Sequence, residues 1–513
     1  MGGEQFDVII IGTGAGGATL AYRLAKSGKK ILILERGGFL PKENDNWNTE
    51  AVFTKGKYKA QEAWLAKDGK EFHPGIHYYV GGNTKVFGAA LLRMRKEDFG
   101  VIKHHGGISP AWPITYDEME PYYTLAEEMY HVHGQAGIDP TEPPRSKPFF
   151  YPPLKHEPRI QKLYDDFKLK GHHPFPLPIG VRLGSDKSYP QPEYHIGLFD
   201  GFPDPTESKA DAHVTAINPI LPLVNITLKT HSYVEKLVTD AEGQRISEVH
   251  VLEGEDRRVY TADIVVVSGG AINSAALLLR SANDKHPNGL ANSSDVIGRH
   301  YMCHNNSAML ALSKEPNPTL FGKTFAINDF YFHSDDWEFP LGHIQMLGKS
   351  NAEMLKGDAP AFTPGLALEH IAKHAVDFWL TSEDLPDPDN RVTLSADGRI
   401  QLYYTENNLE GHRRLGVKLK DMLEHLGCEP HLFPRNMYLG KKIPLAGTAH
   451  QVGTIRFGVD PKTSALDVNC KAHDVENLYV VDGSFFVSSS AVNPGLTIMA
   501  NALRVGDHIL SLR

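Results

Sequence analysis

The first forty residues alternate apolar runs with small or polar residues, in the pattern of a strand, a turn, a helix and a second strand. Residues 6–11 are apolar and largely β-branched, which is typical of a strand buried on both faces of a parallel sheet. The turn Gly12-Thr13-Gly14-Ala15-Gly16-Gly17 follows at once. Residues 18–27 then predict a helix, and residues 30–34 predict the second strand.

This opening predicts a dinucleotide site. Gly12 suits a tight turn, Gly14 lets backbone approach a pyrophosphate, and Gly17 allows close helix packing. An acid about 20 residues after the turn meets the adenosine ribose hydroxyls. A GxGxxG match alone arises by chance, but the flanking strands and this acid strengthen the prediction. The candidates are Gly12, Gly14, Ala15, Gly17, Glu35 and Arg36. NAD and FAD both remain open at this point, because each presents a ribose and a pyrophosphate.

Later segments predict two alternating structural units. Strands are expected at 226–230, 231–238 and 246–252 as hairpins, and at 263–271 and 477–484 as further strands of the nucleotide-binding sheet. Residues 305–439 lack the continuous apolar runs that are typical of strands in a parallel sheet. They contain segments in which apolar and polar residues alternate, such as 399–404, and this pattern predicts a mostly antiparallel substrate domain.

The fold class is therefore α/β, with a doubly wound, Rossmann-like nucleotide-binding domain and a mostly antiparallel α+β substrate-binding domain. The expected division assigns the nucleotide-binding domain to 1–134, 206–304 and 441–513, and the substrate domain to 305–440. Residues 135–205 are expected to form a proline-rich loop or lid and a segment of the substrate domain.

Composition agrees with a large enzyme. A chain of 513 residues is too long for one hydrophobic core, so two domains are expected. Hydrophobic residues make up 41% of the chain, but no apolar run reaches about 18 residues, so no membrane-spanning helix is predicted. A net charge of −9 disfavours nucleic acid as a partner. No secretory leader is visible, so a cytoplasmic location is expected. Three cysteines without CxxC spacing predict buried free thiols rather than disulfides or a zinc site, and no metal site is predicted.

Several motifs together resemble the glucose-methanol-choline (GMC) oxidoreductases across nearly the whole chain. They are the GTGAGG turn, the VGGNT loop, WPITYDEMEPYY, residues 265–271, AHQVGT and the closing LYVVDGSFFVSSSAVNPGLTIMANALR. The resemblance is nearest in style to bacterial pyranose and glycoside oxidases and sugar dehydrogenases. It implies an FAD enzyme that oxidises an alcohol, with FAD in place of NAD.

The resemblance places two residues, His450 and Asn493, at the flavin. A histidine titrates near pH 6.5, about where a base that takes a hydroxyl proton is useful. An asparagine cannot act as a base, but its amide can hold the alcohol oxygen. Asn493 also resembles a helix N-cap, with Pro494 in the first turn.

The remaining cofactor contacts follow the same resemblance. Val234 is expected beside the adenine, Asp482 and Gly483 near the pyrophosphate or ribityl chain, and Gly82 and Asn83 beside the flavin, with Pro494 at the helix start. Some relatives attach the flavin to a histidine after the double glycine. Here that stretch reads Asn83-Thr84-Lys85-Val86, which predicts noncovalent FAD.

The His450 and Asn493 pair and residues 453–464 resemble those of sugar-oxidising members of the family, which implies a secondary alcohol of a sugar, polyol or glycoside as the substrate. Side chains that could contact a sugar, although each is more commonly structural, are Tyr331, His343, Gln345 and Tyr404. Oxygen, a quinone or a protein are equal candidates for the electron acceptor. A non-sugar alcohol oxidase, a flavoprotein lyase with a redox-silent flavin, a nicotinamide-dependent dehydrogenase and a non-catalytic nucleotide-binding protein remain the alternatives.

Overall fold

The computed structural model describes residues 4–183, 199–356, 365–434 and 450–512. Part of the predicted proline-rich segment, part of the predicted substrate domain, and Ala449 of the AHQVGT motif lie outside these residues.

The chain forms short and long strands in the following order: β1 (Glu4–Ile11), β2 (Ile31–Leu34), β3 (Trp64–Ala66), β4 (Glu71–Phe72), β5 (Ile102–His104), β6 (Gly107–Ser109), β7 (Val132–His133), β8 (Pro174–Pro176), β9 (Ile179–Gly180), β10 (Ile226–Lys229), β11 (Ser232–Thr239), β12 (Ile246–Glu253), β13 (Asp256–Val267), β14 (Met302–Cys303), β15 (Asn305–Leu312), β16 (Phe325–Ile327), β17 (His343–Met346), β18 (Ala375–Ser382), β19 (Arg391–Leu394), β20 (Ile400–Tyr403), β21 (Glu429–Pro434), β22 (Gln451–Val452) and β23 (Leu478–Val480).

The helices of the described residues are α1 (Ala15–Leu24), α2 (Tyr116–Met129), α3 (Pro158–Leu169), α4 (Ala271–Arg280), α5 (Ala352–Lys356), α6 (Gly365–His374), α7 (Leu409–His425) and α8 (Gly495–Ser511).

A seven-stranded sheet forms the nucleotide-binding unit. Its order is β10-β2-β1-β13-β12-β11, and β23 pairs with the last residues of β13. Strands β10, β2, β1, β13 and β23 run parallel. The apolar residues 8–11 of β1 and 265–267 of β13 are buried, as predicted. Helix α1 packs on α8, so the two ends of the chain share one core.

One predicted hairpin is wrong. The segment expected to pair with β11 is β10, which instead runs parallel to β2 at the edge of the nucleotide-binding sheet. The short, partly polar sequence of β10 is compatible both with a hairpin strand and with an edge strand of a parallel sheet, so the pairing depends on tertiary contacts. The expected antiparallel pair of β11 with β12 is confirmed.

The second large sheet is antiparallel throughout, in the order β21-β15-β18-β17-β16-β8. One of its faces packs against helices α3 and α7 to form a separate core. The Rossmann-like unit and this antiparallel sheet confirm the predicted fold class.

The period-two run at 399–404 lies elsewhere than expected. Strand β20 pairs with β19 and with β3 of the N-terminal segment in a four-stranded sheet of its own. The alternation identified a half-buried strand, but it carried no information about its partner.

The three cysteines, Cys303, Cys428 and Cys470, are buried free thiols, as predicted. No helix within the described ranges combines the length and the apolar composition needed to cross a bilayer.

We expect Gly17→Ala to lower the free energy of unfolding by about 2 to 3 kcal/mol, because overpacking against rigid backbone costs energy of this order. A methyl group there would lie 2.1 Å from the carbonyl oxygen of Gly12, so the start of α1 would have to move. Urea unfolding of the cofactor-free protein measures the change. Gly14→Ala is the matched control, since its methyl group would meet nothing within 4 Å. Equal stability of the two variants would refute this packing argument.

Candidate active site

His450 and Asn493 meet in the structure although 43 residues separate them. The Asn493 side-chain amide donates a 3.1 Å hydrogen bond from Nδ2 to Nε2 of His450. The Oδ1 atom of Asn493 is buried and has no hydrogen-bond partner within the described part of the chain. An orphaned buried acceptor of this kind is rare in folded proteins and marks a place where a ligand or water donates.

Backbone contacts fix the segment that carries His450. Its backbone has a φ of 72°, a left-handed conformation that is uncommon outside glycine and costs of order 1 kcal/mol. The next residues form β22, which pairs with β14, and Gly453 N–H donates to the Gly483 carbonyl oxygen at 3.0 Å. The strained residue is therefore held by regular pairing directly after it.

The expected N-cap role of Asn493 is wrong. Helix α8 begins at Gly495 with Pro494 at the cap position, one residue later than predicted. The Asn493 side chain instead faces His450. The amide was free for this contact because proline occupies the cap.

A second histidine, His304, completes a cluster that the sequence did not reveal. Its Nδ1 lies 3.0 Å from Nδ1 of His450, and its Nε2 lies 3.0 Å from the carbonyl oxygen of Ser489. The two imidazole rings are 4.9 Å apart and nearly perpendicular. The only local signal was a polar His-Asn-Asn run at the start of an apolar strand.

The glycine turn forms the predicted cradle. Gly12 has a φ of 100° and Gly17 packs directly on it, as the motif requires. Helix α1 begins at Ala15. A Cβ atom added to Gly14, the residue before it, would have no other atom within 4 Å, so the space there is open. With no side chain capping this helix start, its N–H groups are available to a pyrophosphate.

Glu35 lies at the end of β2, beside the turn. Its carboxylate accepts hydrogen bonds from the backbone and hydroxyl of Thr13 and from Gly37 N–H, and burial raises its pKa. A carboxylate has about four acceptor positions. One therefore remains for a ribose hydroxyl.

The guanidinium of Arg36 is turned away from Glu35. It forms an ion pair with Glu62 at 2.6 Å and lies over the rings of Tyr78 and Tyr233, 4.1 Å and 4.6 Å from their centroids. Strand β11 begins beside Glu35, where Ser232 N–H donates to the Glu35 carbonyl oxygen at 2.9 Å. Val234, two residues further along this strand, is buried. Glu35, Arg36 and Val234 thus lie together.

The double-glycine loop lies against the glycine turn. Gly81 N–H donates to the Thr13 hydroxyl at 3.1 Å, and a side chain on Gly82 would approach Gly14 Cα to 3.2 Å. The Asn83 side-chain oxygen accepts from the backbone N–H of His77 at 2.9 Å, so its amide holds the loop rather than pointing out of it.

Asp482 and Gly483 connect the two halves of the site. The buried Asp482 carboxylate accepts from Ser274 Oγ, from Gly270 N–H at the start of α4, and from Ser484, and burial raises its pKa. Gly483 then accepts the backbone hydrogen bond from the segment after His450. The cradle and the polar pair are therefore parts of one rigid assembly.

These observations fit FAD. The helix start is open over Gly14, Glu35 retains an acceptor, and the loops that carry Gly82 and Gly483 connect the cradle to a polar pair with an orphaned acceptor. Which of the predicted residues contact the cofactor stays a prediction.

Two of the four candidate sugar contacts are occupied by structural partners. Tyr331 is buried, donates to Asp98 at 2.8 Å and accepts from Ala491 N–H at 3.2 Å. Burial and the nearby Glu383 raise the pKa of Asp98 to about 7. The Tyr404 hydroxyl donates to Asp384 at 3.0 Å.

His343 and Gln345 lie on the face of the antiparallel sheet opposite its apolar core. Thr381, which pairs with His343 on that face, donates to the Ala491 carbonyl oxygen at 2.7 Å, two residues before Asn493. Both candidates are buried, and burial lowers the pKa of His343 to about 3. His343 is therefore neutral and bonds to Asn328 at 2.7 Å.

Comparison with known families agrees with this geometry. Residues 179–306 and 386–502 match the two GMC oxidoreductase profiles, N-terminal and C-terminal. Residues 10–40 match the NAD(P)-binding Rossmann-like domain.

Characterised relatives are similar over almost their entire length. The chain is 29% identical to 6'''-hydroxyparomomycin C oxidase of Streptomyces lividus, covering 99% of this chain and 91% of that protein. It is 28% identical to 2-methyl-1,2-propanediol dehydrogenase of Mycolicibacterium austroafricanum, covering 99% and 95%. It is 26% identical to the fructose dehydrogenase large subunit of Gluconobacter japonicus, covering 98% of each.

Solved structures show the same fold. Pyridoxine 4-oxidase from Mesorbium loti superposes with a TM-score of 0.66 at 18% identity, covering 99% of both chains. A formate oxidase superposes with a TM-score of 0.64 at 14% identity, covering 99% of this chain and 98% of that one. The chain belongs to the GMC oxidoreductase family, whose members are FAD enzymes that act on CH–OH donors.

Proposed function

We propose that this protein oxidises a secondary hydroxyl of a sugar, polyol or glycoside, with His450 as the base and Asn493 as the residue that holds the alcohol oxygen. The observation that carries the proposal is the 3.1 Å contact between Nδ2 of Asn493 and Nε2 of His450. It brings a hydrogen-bond donor and a proton acceptor to one point, which is what an alcohol group requires.

The two side chains divide the work by their chemistry. An alcohol that enters between them accepts from the Asn493 amide N–H and donates its hydroxyl proton to Nε2 of His450. As that proton leaves, negative charge develops on the alcohol oxygen, and the fixed amide dipole stabilises it. Asn493 thus orients the oxygen, while His450 receives the proton.

Bound FAD supplies the acceptor for the hydride that leaves the carbinol carbon. We propose that it is held without a covalent bond by the cradle at Gly14 and by Glu35. The stretch after the double glycine, Asn83 to Val86, contains no histidine, and its Lys85 is paired with Asp211 at 2.8 Å.

Two orphaned acceptors favour a polyhydroxylated substrate. The buried Oδ1 atoms of Asn306 and Asn493 have no donor among the residues that the structure describes, and Asn306 is anchored through its Nδ2 to the His304 carbonyl oxygen at 3.0 Å. A substrate with several hydroxyl groups can donate to such acceptors, which otherwise cost about 1 to 3 kcal/mol each. Similarity to 6'''-hydroxyparomomycin C oxidase, paromamine 6'-oxidase, 2-methyl-1,2-propanediol dehydrogenase and the fructose dehydrogenase large subunit supports the same substrate class.

Oxygen, a quinone and a protein remain equal proposals for the electron acceptor. The absence of a nucleic acid partner remains a prediction from net charge, and a cytoplasmic location also remains a prediction.

The catalytic pair makes a direct prediction. We expect His450→Ala to slow reduction of bound FAD by substrate by about 10²- to 10⁴-fold, because the base is lost. Asn493→Ala should cost about 10²- to 10³-fold, because the amide dipole is lost. Anaerobic stopped-flow absorbance measures both rates at matched FAD content. Asn493→His, which retains an N–H donor, should recover part of the loss. Undiminished reduction by His450→Ala would remove its proposed role.

The substrate class is tested by an anaerobic screen of the wild-type protein. Glycosides, free sugars, polyols and simple primary alcohols are mixed with the protein, and bleaching of the flavin absorbance is recorded. We expect bleaching by sugars or polyols. Bleaching confined to simple alcohols would favour the non-sugar alternative. Conversion of a substrate without any bleaching would favour the lyase.

Noncovalent attachment predicts release of the flavin on denaturation. After precipitation with trichloroacetic acid, we expect all yellow colour in the supernatant, and mass spectrometry of the pellet should show the unmodified chain. Colour that stays with the precipitated protein would contradict the proposal.

A further inference from the structure

His304 is fixed from both sides by regular structure. It lies between β14 and β15, where Cys303 pairs with Gln451 of β22 and Asn305 pairs with Ser382 of β18. Its side chain is 1% exposed. It therefore lies at the junction between the nucleotide-binding unit and the antiparallel sheet, with little freedom to turn.

The hydrogen bonds around His304 determine where its proton lies. The Ser489 carbonyl oxygen can only accept, so Nε2 of His304, 3.0 Å away, carries a hydrogen. A neutral imidazole has one donor and one acceptor nitrogen. Nδ1 of a neutral His304 is consequently an acceptor.

The contact with His304 also determines which nitrogen of His450 carries the proton. Its Nδ1 lies 3.0 Å from the acceptor Nδ1 of His304, so the proton of this contact belongs to His450. Nε2 of a neutral His450 then carries a lone pair. The direction of the next bond agrees, because Asn493 donates its amide N–H to that atom.

We propose that His304 is a positioning residue that fixes the tautomer of His450, so that the bare Nε2 faces the alcohol. The inference rests on the proposed function and adds a residue that neither touches the alcohol nor belongs to the predicted pair. Without an acceptor at Nδ1, His450 would exchange between two tautomers. The unwanted one presents an N–H to the hydroxyl group and cannot take its proton.

The group that accepts the hydrogen bond from Nδ1 of His450 is the imidazole of His304 rather than a carboxylate. Ionisable groups on the surrounding elements include Glu383, Asp384 and His343. Glu383 bonds to His104 at 3.0 Å, Asp384 accepts from Cys303 N–H at 2.9 Å, and His343 bonds to Asn328. When His450 takes up a proton, His304 continues to accept from Nδ1 and stabilises the cation only through that hydrogen bond.

Three substitutions at His304 distinguish its role as a hydrogen-bond acceptor for His450 from a role in packing alone. His304→Leu retains the volume but removes the acceptor, His304→Asn retains an uncharged acceptor oxygen, and His304→Asp supplies a charged acceptor. His133→Leu is the matched control, because His133 is also buried and also bonds to a backbone carbonyl, that of Pro152 at 2.7 Å.

The first measurement does not depend on turnover. Diethyl pyrocarbonate acylates only unprotonated imidazole, so the rate of His450 modification, followed by peptide mass spectrometry against pH, reports its protonation. We expect the midpoint to move to lower pH in His304→Leu, because the cation loses its acceptor. The midpoint should stay near wild type in His304→Asn and His133→Leu, and move to higher pH in His304→Asp.

The second measurement is steady-state kinetics at matched FAD content. In His304→Leu we expect kcat to fall by about 10- to 100-fold, part of the full effect of a general base, with KM nearly unchanged. His304→Asn should recover most of the loss.

An unchanged midpoint in both His304→Leu and His304→Asp would overturn the inference, as would equal losses of kcat in the Leu and Asn variants. If the Leu variant does not retain FAD, the comparison of His304→Asn, with a midpoint near wild type, and His304→Asp, with a midpoint at higher pH, still decides. A wild-type protein that reduces no FAD with any alcohol would refute the proposed function alone, since the modification midpoints test the contact between His304 and His450 independently.

Discussion

The site depends on a set of backbone hydrogen bonds that holds residues 451–455 between the turn at 483–484 and the segment at Gly298. Gly453 and Ile455 donate to the carbonyl oxygens of Gly483 and Ser484 at 3.0 Å and 2.9 Å. Gly298 donates to Thr454 at 2.7 Å on the other side. Because the groups are buried, breaking any of these bonds would leave an unsatisfied polar atom. The segment therefore has one conformation, and it can hold His450 at a φ of 72°.

This constraint explains how one rigid site is built from distant parts of the chain. The turn at 483–484 follows β23 of the nucleotide-binding sheet, while β14 leads directly into the antiparallel sheet through His304. The base therefore has fixed distances to both the cofactor cradle and the substrate side. Positioning of this kind supplies a large part of the rate enhancement of an enzyme, and it requires side chains locked by their surroundings.

Buried polar groups concentrate where the two units meet. Tyr331 connects Asp98 to Ala491, and Glu383 accepts from His104, Ser109 and the backbone of Ser490. These contacts hold the loop that leads to Asn493. Such groups are costly to bury unless they are paired, so these hydrogen bonds constrain the shape of the loop.

Features that follow from local periodicity, or from motifs in which neighbouring residues act together, could be predicted from the amino-acid sequence. These include the strand, turn and helix around Gly12, the acid at Glu35, the fold class, and the meeting of His450 with Asn493 through the family resemblance. The pairing of β10 and β20 could not be predicted in this way, because the residues of a short strand do not specify which strand it pairs with. Only the tertiary structure decided that Pro494 rather than Asn493 caps α8, and that His304 contacts His450. A hydrogen bond between residues 146 positions apart leaves no periodic signal in the chain, since only folding brings its donor and acceptor together.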